Sequence, residues 1–89
     1  MYRVELSENA LKTFKKMDKQ IATMIFAWIS KNLDGCENPR IHGKGLVADK
    51  KGIWRYRVGD YRIIADINDH EVKIIVIEVG HRKEIYQKI

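Results

Sequence analysis

Three arginines crowd the segment Trp54-Arg55-Tyr56-Arg57-Val58-Gly59-Asp60-Tyr61-Arg62. A two-residue turn at Gly59-Asp60 sets Val58 opposite Tyr61, Arg57 opposite Arg62 and Arg55 opposite Ile64. Strand alternation then puts Arg55, Arg57 and Arg62 on one face. Like charges directly opposed on neighbouring strands destabilise a sheet. A sequence selected for folding alone would avoid the Arg57/Arg62 pair, so the spacing points to an anion held between them. Asp66, also on that face, sets one carboxylate against three guanidiniums. Guanidinium groups stay charged and present a planar fork of donors, which suits them to clamp a phosphoryl group.

A second constellation is Gly80-His81-Arg82-Lys83-Glu84-Ile85-Tyr86. Its glycine lets the backbone bend, so the residues after it can fold back toward the sheet. His81 brings an imidazole suited to proton transfer, Arg82 a permanent positive charge, and Tyr86 a phenol with a stacking surface. Closed on the arginine face, these groups could serve acid–base chemistry on phosphate. Other chemistries have less behind them. Gly43-Lys44-Gly45 lacks the strand and helix that flank a nucleotide-binding phosphate loop. Cys36 has no histidine nearby in sequence, His42 and His70 fall in predicted loops, and no cofactor or metal is expected.

The elements that must position these groups follow from periodicity. Residues 2–6 alternate apolar and polar and predict a strand. Ser7 is a predicted N-cap for a helix with Ala10, Leu11, Phe14 and Met17 as its apolar stripe. Asp18 caps a second helix running to about Leu33, with Ile21, Met24, Ile25, Trp28 and Ile29 as its core face. Asp34-Gly35 closes that helix, and Asn38-Pro39 with Gly43, Gly45 and Gly52 marks an irregular connection. From Ile53 the period becomes two: Ile53 to Val58, Tyr61 to Ile67 and Val72 to Val79 predict an antiparallel meander. The third strand carries Val72, Ile74 and Val76 on one face and Ile75, Ile77 and Val79 on the other, which places it inside the sheet. Residues 82–88 have room for a short helical segment. The expected fold class is α+β, two N-terminal helices on a small, mostly antiparallel sheet, in one domain spanning residues 1–89.

Composition agrees. Eighty-nine residues, 45% hydrophobic and 33% charged with one proline, make a folded domain too small for a multi-domain enzyme. The longest wholly apolar run, Met24 to Ile29, is far short of the ~20 residues a membrane helix needs, so no membrane partner and a cytoplasmic location are expected. One cysteine forms no internal disulfide, and with three scattered histidines it builds no structural zinc site. The net charge of +5 resides in residues 40–62, where Arg40, Lys44, Lys50, Lys51, Arg55, Arg57 and Arg62 face only Asp49 and Asp60; elsewhere acids and bases balance. A localised positive field invites a polyanion, and Arg40, Lys44, Lys50 and Lys51 are candidate RNA-binding residues around the arginine site.

Several segments together carry a family resemblance: Tyr2-Arg3-Val4, the helical pair from Ser7 to Leu33, Asn38-Pro39-Arg40, Trp54 to Val58, Asp60-Tyr61-Arg62-Ile63-Ile64, and Val79 to Tyr86. In this order and at these separations they resemble the RelE/ParE-type toxins of bacterial type II toxin–antitoxin pairs. The resemblance covers nearly the whole chain. For the RelE-like branch it implies ribosome-dependent cleavage of messenger RNA with the RNA 2′-hydroxyl as internal nucleophile. It also implies a cognate antitoxin, RelB-like or another, that covers the basic site, and a toxin–antitoxin complex that binds operator DNA. Arg62 matches the family arginine that holds the scissile phosphate, Arg82 the one that supports charge on the phosphate or leaving group, and Tyr86 the tyrosine that orients or deprotonates the nucleophile. Arg55 and Arg57 stand where some members carry lysines. Arginine does not readily give up its proton, so both are cast as electrostatic clamps, with His81 as general acid or base. Two alternatives are a ParE-like DNA gyrase poison and a non-catalytic module that binds nucleic acid or antitoxin.

Overall fold

The capping residues read from the sequence begin both helices. In the computed structural model, which describes residues 1–45 and 52–85, β1 (Arg3–Leu6) leads into α1 (Glu8–Lys16) and then α2 (Lys19–Asn32). Ser7 Oγ accepts the Ala10 N–H at 3.1 Å, and Asp18 accepts the Gln20 and Ile21 N–H groups at 3.0 and 3.2 Å. Ser7 also donates its hydroxyl to the Ile77 carbonyl at 2.7 Å and its N–H to the Val76 carbonyl at 2.9 Å. One residue thus caps a helix and fixes it to a strand. Ser7→Ala is expected to lower stability by about 1–2 kcal/mol, read as a lower urea midpoint at unchanged slope.

Four further strands follow: β2 (Lys44–Gly45), β3 (Ile53–Val58), β4 (Tyr61–Asn68) and β5 (Lys73–His81). Their order is β1-β5-β4-β3-β2, with β1 parallel to β5 and the other pairs antiparallel. β5 lies inside the sheet, as its two apolar faces require. β2 is an addition to the predicted strands: two residues pairing with Arg55 and Trp54, too short to show a period.

Both helices pack on one face. Ala10 and Phe14 from α1, with Ile25, Ile29 and Leu33 from the α2 side, meet Tyr56, Val58, Ile63, Ala65, Ile74, Val76 and Val79 of the sheet. The predicted stripes were wider than this core. Leu11 and Met24 are each 43% exposed and Trp28 is only half-buried, because a narrow sheet covers the centre of each stripe and leaves its flanks open. Phe26, 39% exposed, stacks on Phe14 with ring centroids 4.2 Å apart.

The third predicted strand also needs correcting. Val72 is not its first residue but lies in the preceding turn at φ 57°, a conformation rarely taken by a β-branched side chain. Within β5 the register with β4 slips by one: Ala65 pairs with Val76 but Ile64 with Glu78. This bulge at Ile77 puts Val79 on the same face as Ile74 and Val76, where strict alternation puts it opposite. α1 braces the bulge, through the Ser7 bonds and through Thr13, whose hydroxyl donates to Glu78 Oε1 at 2.7 Å. Among the described residues, no helix is long and apolar enough to cross a membrane.

Candidate functional site

The β3–β4 hairpin has the register expected from its turn: Val58 opposite Tyr61, Arg57 opposite Arg62 and Arg55 opposite Ile64. The helices cover the face that carries Tyr56, Val58 and Ile63, so the arginines point to the other side. Where β3 runs beyond short β2, a cleft of about 470 Å³ opens, lined by Trp28, His42, Gly43, Lys44, Arg55, Arg57 and Arg62. Among the described residues no carboxylate pairs with Arg57 or Arg62.

The wall opposite the arginines comes from the connection after α2. Tyr56, fully buried, donates its hydroxyl to the Pro39 carbonyl at 2.6 Å, and Trp54 Nε1 donates to the His42 carbonyl at 2.6 Å. Burial pushes the Tyr56 phenol well above its ordinary range, so it stays a donor. Gly43, at φ +77°, lies so close to the Arg55 carbonyl that a Cβ there would collide with backbone. The predicted irregular segment is therefore seated on β3 and presents His42 and Lys44 to the cleft.

The C-terminal turn closes on the arginine side. Gly80 pairs with Arg62, so a side chain on Gly80 would point where Arg62 points; Ile85 occupies that space, its Cδ1 3.1 Å from the position of such a Cβ. Ile85 is fully buried. The Arg82 N–H donates to the Asp60 carbonyl at 2.8 Å, and Arg82 Nε lies 3.8 Å from Asp60 Oδ1. Arg62 Nη1 donates to the carbonyls of Gly59 and Tyr61, each at 3.2 Å. Arg62 and Arg82 thus converge on the same turn, although Arg82 does not line the cleft. The segment after Gly80 folds back toward the sheet as expected, but the glycine is not itself the bend: β5 continues through His81, and the absent side chain leaves room for Ile85.

His81 does not join this cluster. It pairs with Tyr61 on the helix-covered face, its ring edge-on to Tyr61 at 5.5 Å, and lines a separate cleft with Lys12, Thr13 and Lys16 of α1. Its Nδ1 accepts the Lys83 N–H at 3.2 Å. The cause is the Ile77 bulge, since one inserted residue moves every later side chain to the opposite face. Arg40 is also differently engaged. Its fork binds both oxygens of Asp69 at 2.9 and 3.0 Å and its guanidinium lies 5.9 Å from the centroid of Trp54, away from the cleft. Asp66 pairs with Ile53 at the far end of β4, beside Gly52, and does not line the arginine cleft. Tyr86, Lys50 and Lys51, and residues 86–88 of the expected C-terminal helical segment, lie outside the described residues.

The Arg40–Asp69 pair fastens the connection to the β4–β5 turn, with the Tyr2 hydroxyl donating to Asp69 at 2.6 Å. The Arg40 fork, then the Tyr2 hydroxyl, hold the Asp69 carboxyl below its usual range. A carboxylate that protonates less readily when folded stabilises fully above its unfolded value, about 3.9, and loses that contribution as pH falls through the lower folded value. Asp69→Asn is therefore expected to lower the melting temperature at neutral pH, the gap to wild type closing below about pH 4.

Two cleft residues escaped the sequence reading. Its place in the i, i+3, i+4 series puts Trp28 in the predicted core, and His42 falls in a predicted loop. The available signal was that Trp28 sits on the flank of the α2 stripe, where a large ring can be half-covered. With four cations and two aromatic rings in its lining, the cleft offers both charge for an anion and flat surfaces beside it.

A model of the ParE toxin family, the toxin of the type II toxin–antitoxin system parDE, matches residues 4–86. The chain is 27% identical over 86 residues to Toxin RelE of Mycobacterium tuberculosis, covering 97% of this chain and 87% of that protein. It resembles the toxin–antitoxin complex RelBE2 of the same organism with a TM-score of 0.80 at 25% identity, 91% of each chain being covered. For the isolated RelE toxin of E. coli the TM-score is 0.75 at 25% identity, over 99% of this chain and 94% of that one.

Proposed function

Since this chain belongs to the RelE/ParE family of type II toxins, we propose that it is an endoribonuclease that cuts messenger RNA on the ribosome. The observation that supports this reading is the cross-strand pair Arg57/Arg62 in a cationic cleft, with the Arg82 turn folded back onto the same face.

In the proposed reaction the 2′-hydroxyl oxygen attacks the adjacent phosphorus. The P–O5′ bond breaks, leaving a 2′,3′-cyclic phosphate and a 5′-hydroxyl; one proton leaves the 2′-oxygen and one is delivered to the 5′-oxygen. Negative charge grows on the phosphoryl oxygens at the pentacoordinate stage, where fixed guanidiniums contribute most. Arg62 and Arg57 clamp the phosphate, Arg55 and Lys44 extend the positive wall, and Arg82 supports the leaving group. Tyr86 keeps, from the resemblance, the part of orienting or deprotonating the nucleophile. His42, which among the described residues is the imidazole lining the arginine cleft, takes the proton-transfer part in place of His81. A RelB-like antitoxin is the proposed protein partner, and the complex of the two is proposed to bind operator DNA.

Primer extension on mRNA after brief induction tests this. Breaks clustered inside translated codons, absent from untranslated transcripts, are expected. The name of the matching family keeps a gyrase poison as the second reading, which predicts gyrase-trapped DNA breaks with intact mRNA.

A further inference from the structure

A cleft lined only by cations attracts any polyanion, yet this one has an indole in its wall. Trp28 leaves α2 on the flank of its core stripe, half-buried; its ring centroid lies 5.6 Å from that of buried Tyr56 and 5.8 Å from that of His42, which meets it edge-on. Those two contacts fix the indole, and Trp28 lines the same cleft as Arg55, Arg57 and Arg62. The volume, about 470 Å³, falls within the usual range for small-ligand sites. The other tryptophan differs: Trp54 donates to the His42 carbonyl and has Arg40 near its ring. A half-open indole beside guanidiniums is the pairing that single-stranded RNA requires, a π-surface for the base and cations for the backbone.

We propose that Trp28 is a stacking platform for one nucleobase of the RNA whose phosphate the arginines hold. The proposal rests on the nuclease reading above and adds a base subsite to it. Because every base has a π-face, the subsite holds a base in place without fixing its identity. Its effect is on the position of the cut relative to the bound base and on affinity.

The test uses the full chain and a 2′-O-methyl RNA trinucleotide, which lacks the attacking hydroxyl, alongside the same trinucleotides made abasic at one position in turn. Affinities are measured by calorimetry at low ionic strength. Wild type is expected to prefer the intact probe about tenfold over one of the abasic forms; Trp28→Ala abolishes that preference and Trp28→Phe keeps most of it. Arg62→Ala weakens intact and abasic probes alike. Should Trp28→Ala fail to fold, the Trp28 indole N–H resonance of wild type, identified by its loss in Trp28→Phe, is expected to shift with the intact probe and not with that abasic form. Equal wild-type affinity for all probes, with Arg62→Ala still weakening them, overturns the stacking platform and leaves the phosphate clamp standing. A preference that survives in Trp28→Ala overturns it too. No saturable binding of any probe overturns the platform and the clamp together.

Discussion

Arg62→Ala is expected to reduce codon-clustered mRNA cutting by about 100- to 1,000-fold, the usual consequence of removing one fixed donor from a site where charge develops. Growth arrest on induction should disappear with it. Fold is expected to persist, because Arg62 is half-buried, makes among the described residues two 3.2 Å bonds to turn carbonyls, and lies directly opposite Arg57. Removing one of two facing like charges relieves a repulsion of about 0.2–1 kcal/mol, so the melting temperature at low salt should hold or rise slightly. Lost activity with retained or improved stability separates a functional arginine from a structural one. Unchanged cutting in Arg62→Ala would remove the cleft from consideration as the reaction site. Arg62→Lys should fall between the two, since an ammonium keeps the charge but not the planar fork.

Gly80→Val should be comparably damaging for a steric reason. The space where its side chain would stand holds Ile85, whose Cδ1, Cβ and Cα lie 3.1, 3.6 and 3.7 Å from an added Cβ. Alanine can be accommodated if the flexible Ile85 tip moves by a few tenths of an ångström. Valine adds two methyl groups directed at the Ile85 body, so either β5 distorts or the 82–85 turn lifts. Overpacking of this kind costs about 1–3 kcal/mol. Lifting the turn withdraws Arg82 from Asp60 and from the arginine side, so cutting should fall as far as in Arg82→Ala. Gly80→Ala should retain most activity and stability. If Gly80→Val melts and cuts like wild type, Ile85 does not hold the turn, and the joining of the two constellations into one site loses its structural basis.

The pieces legible in the sequence were those set by local rules. Ser7 and Asp18 could be recognised as caps because their side-chain oxygens reach N–H groups two or three residues ahead. The Arg57/Arg62 opposition followed from a two-residue turn and counting, since a tight hairpin leaves no freedom in register. That β5 lies inside the sheet followed from apolar residues on both its faces. These inferences needed no knowledge of what packs against what, and they located the proposed phosphate clamp.

Tertiary structure decided the rest. The side of the sheet that His81 faces depends on the bulge at Ile77, a single inserted residue held by Ser7 and Thr13 from a helix some 65–70 positions away. Period-two reading is blind to that insertion, because a bulge is stabilised by its long-range partners and leaves no local pattern. Arg40 pairs with Asp69, 29 residues away, a contact that no local pattern announces. Trp28 of the predicted core face and His42 of a predicted loop come into contact beside the arginines only once the connection after α2 is seated on β3. Amino-acid type and spacing thus determined which charges sit side by side, because neighbours along a strand or across a tight turn are constrained by covalent geometry. Which aromatic groups and which imidazole share their pocket was left to packing, where contacts between distant segments select among arrangements that local geometry permits equally.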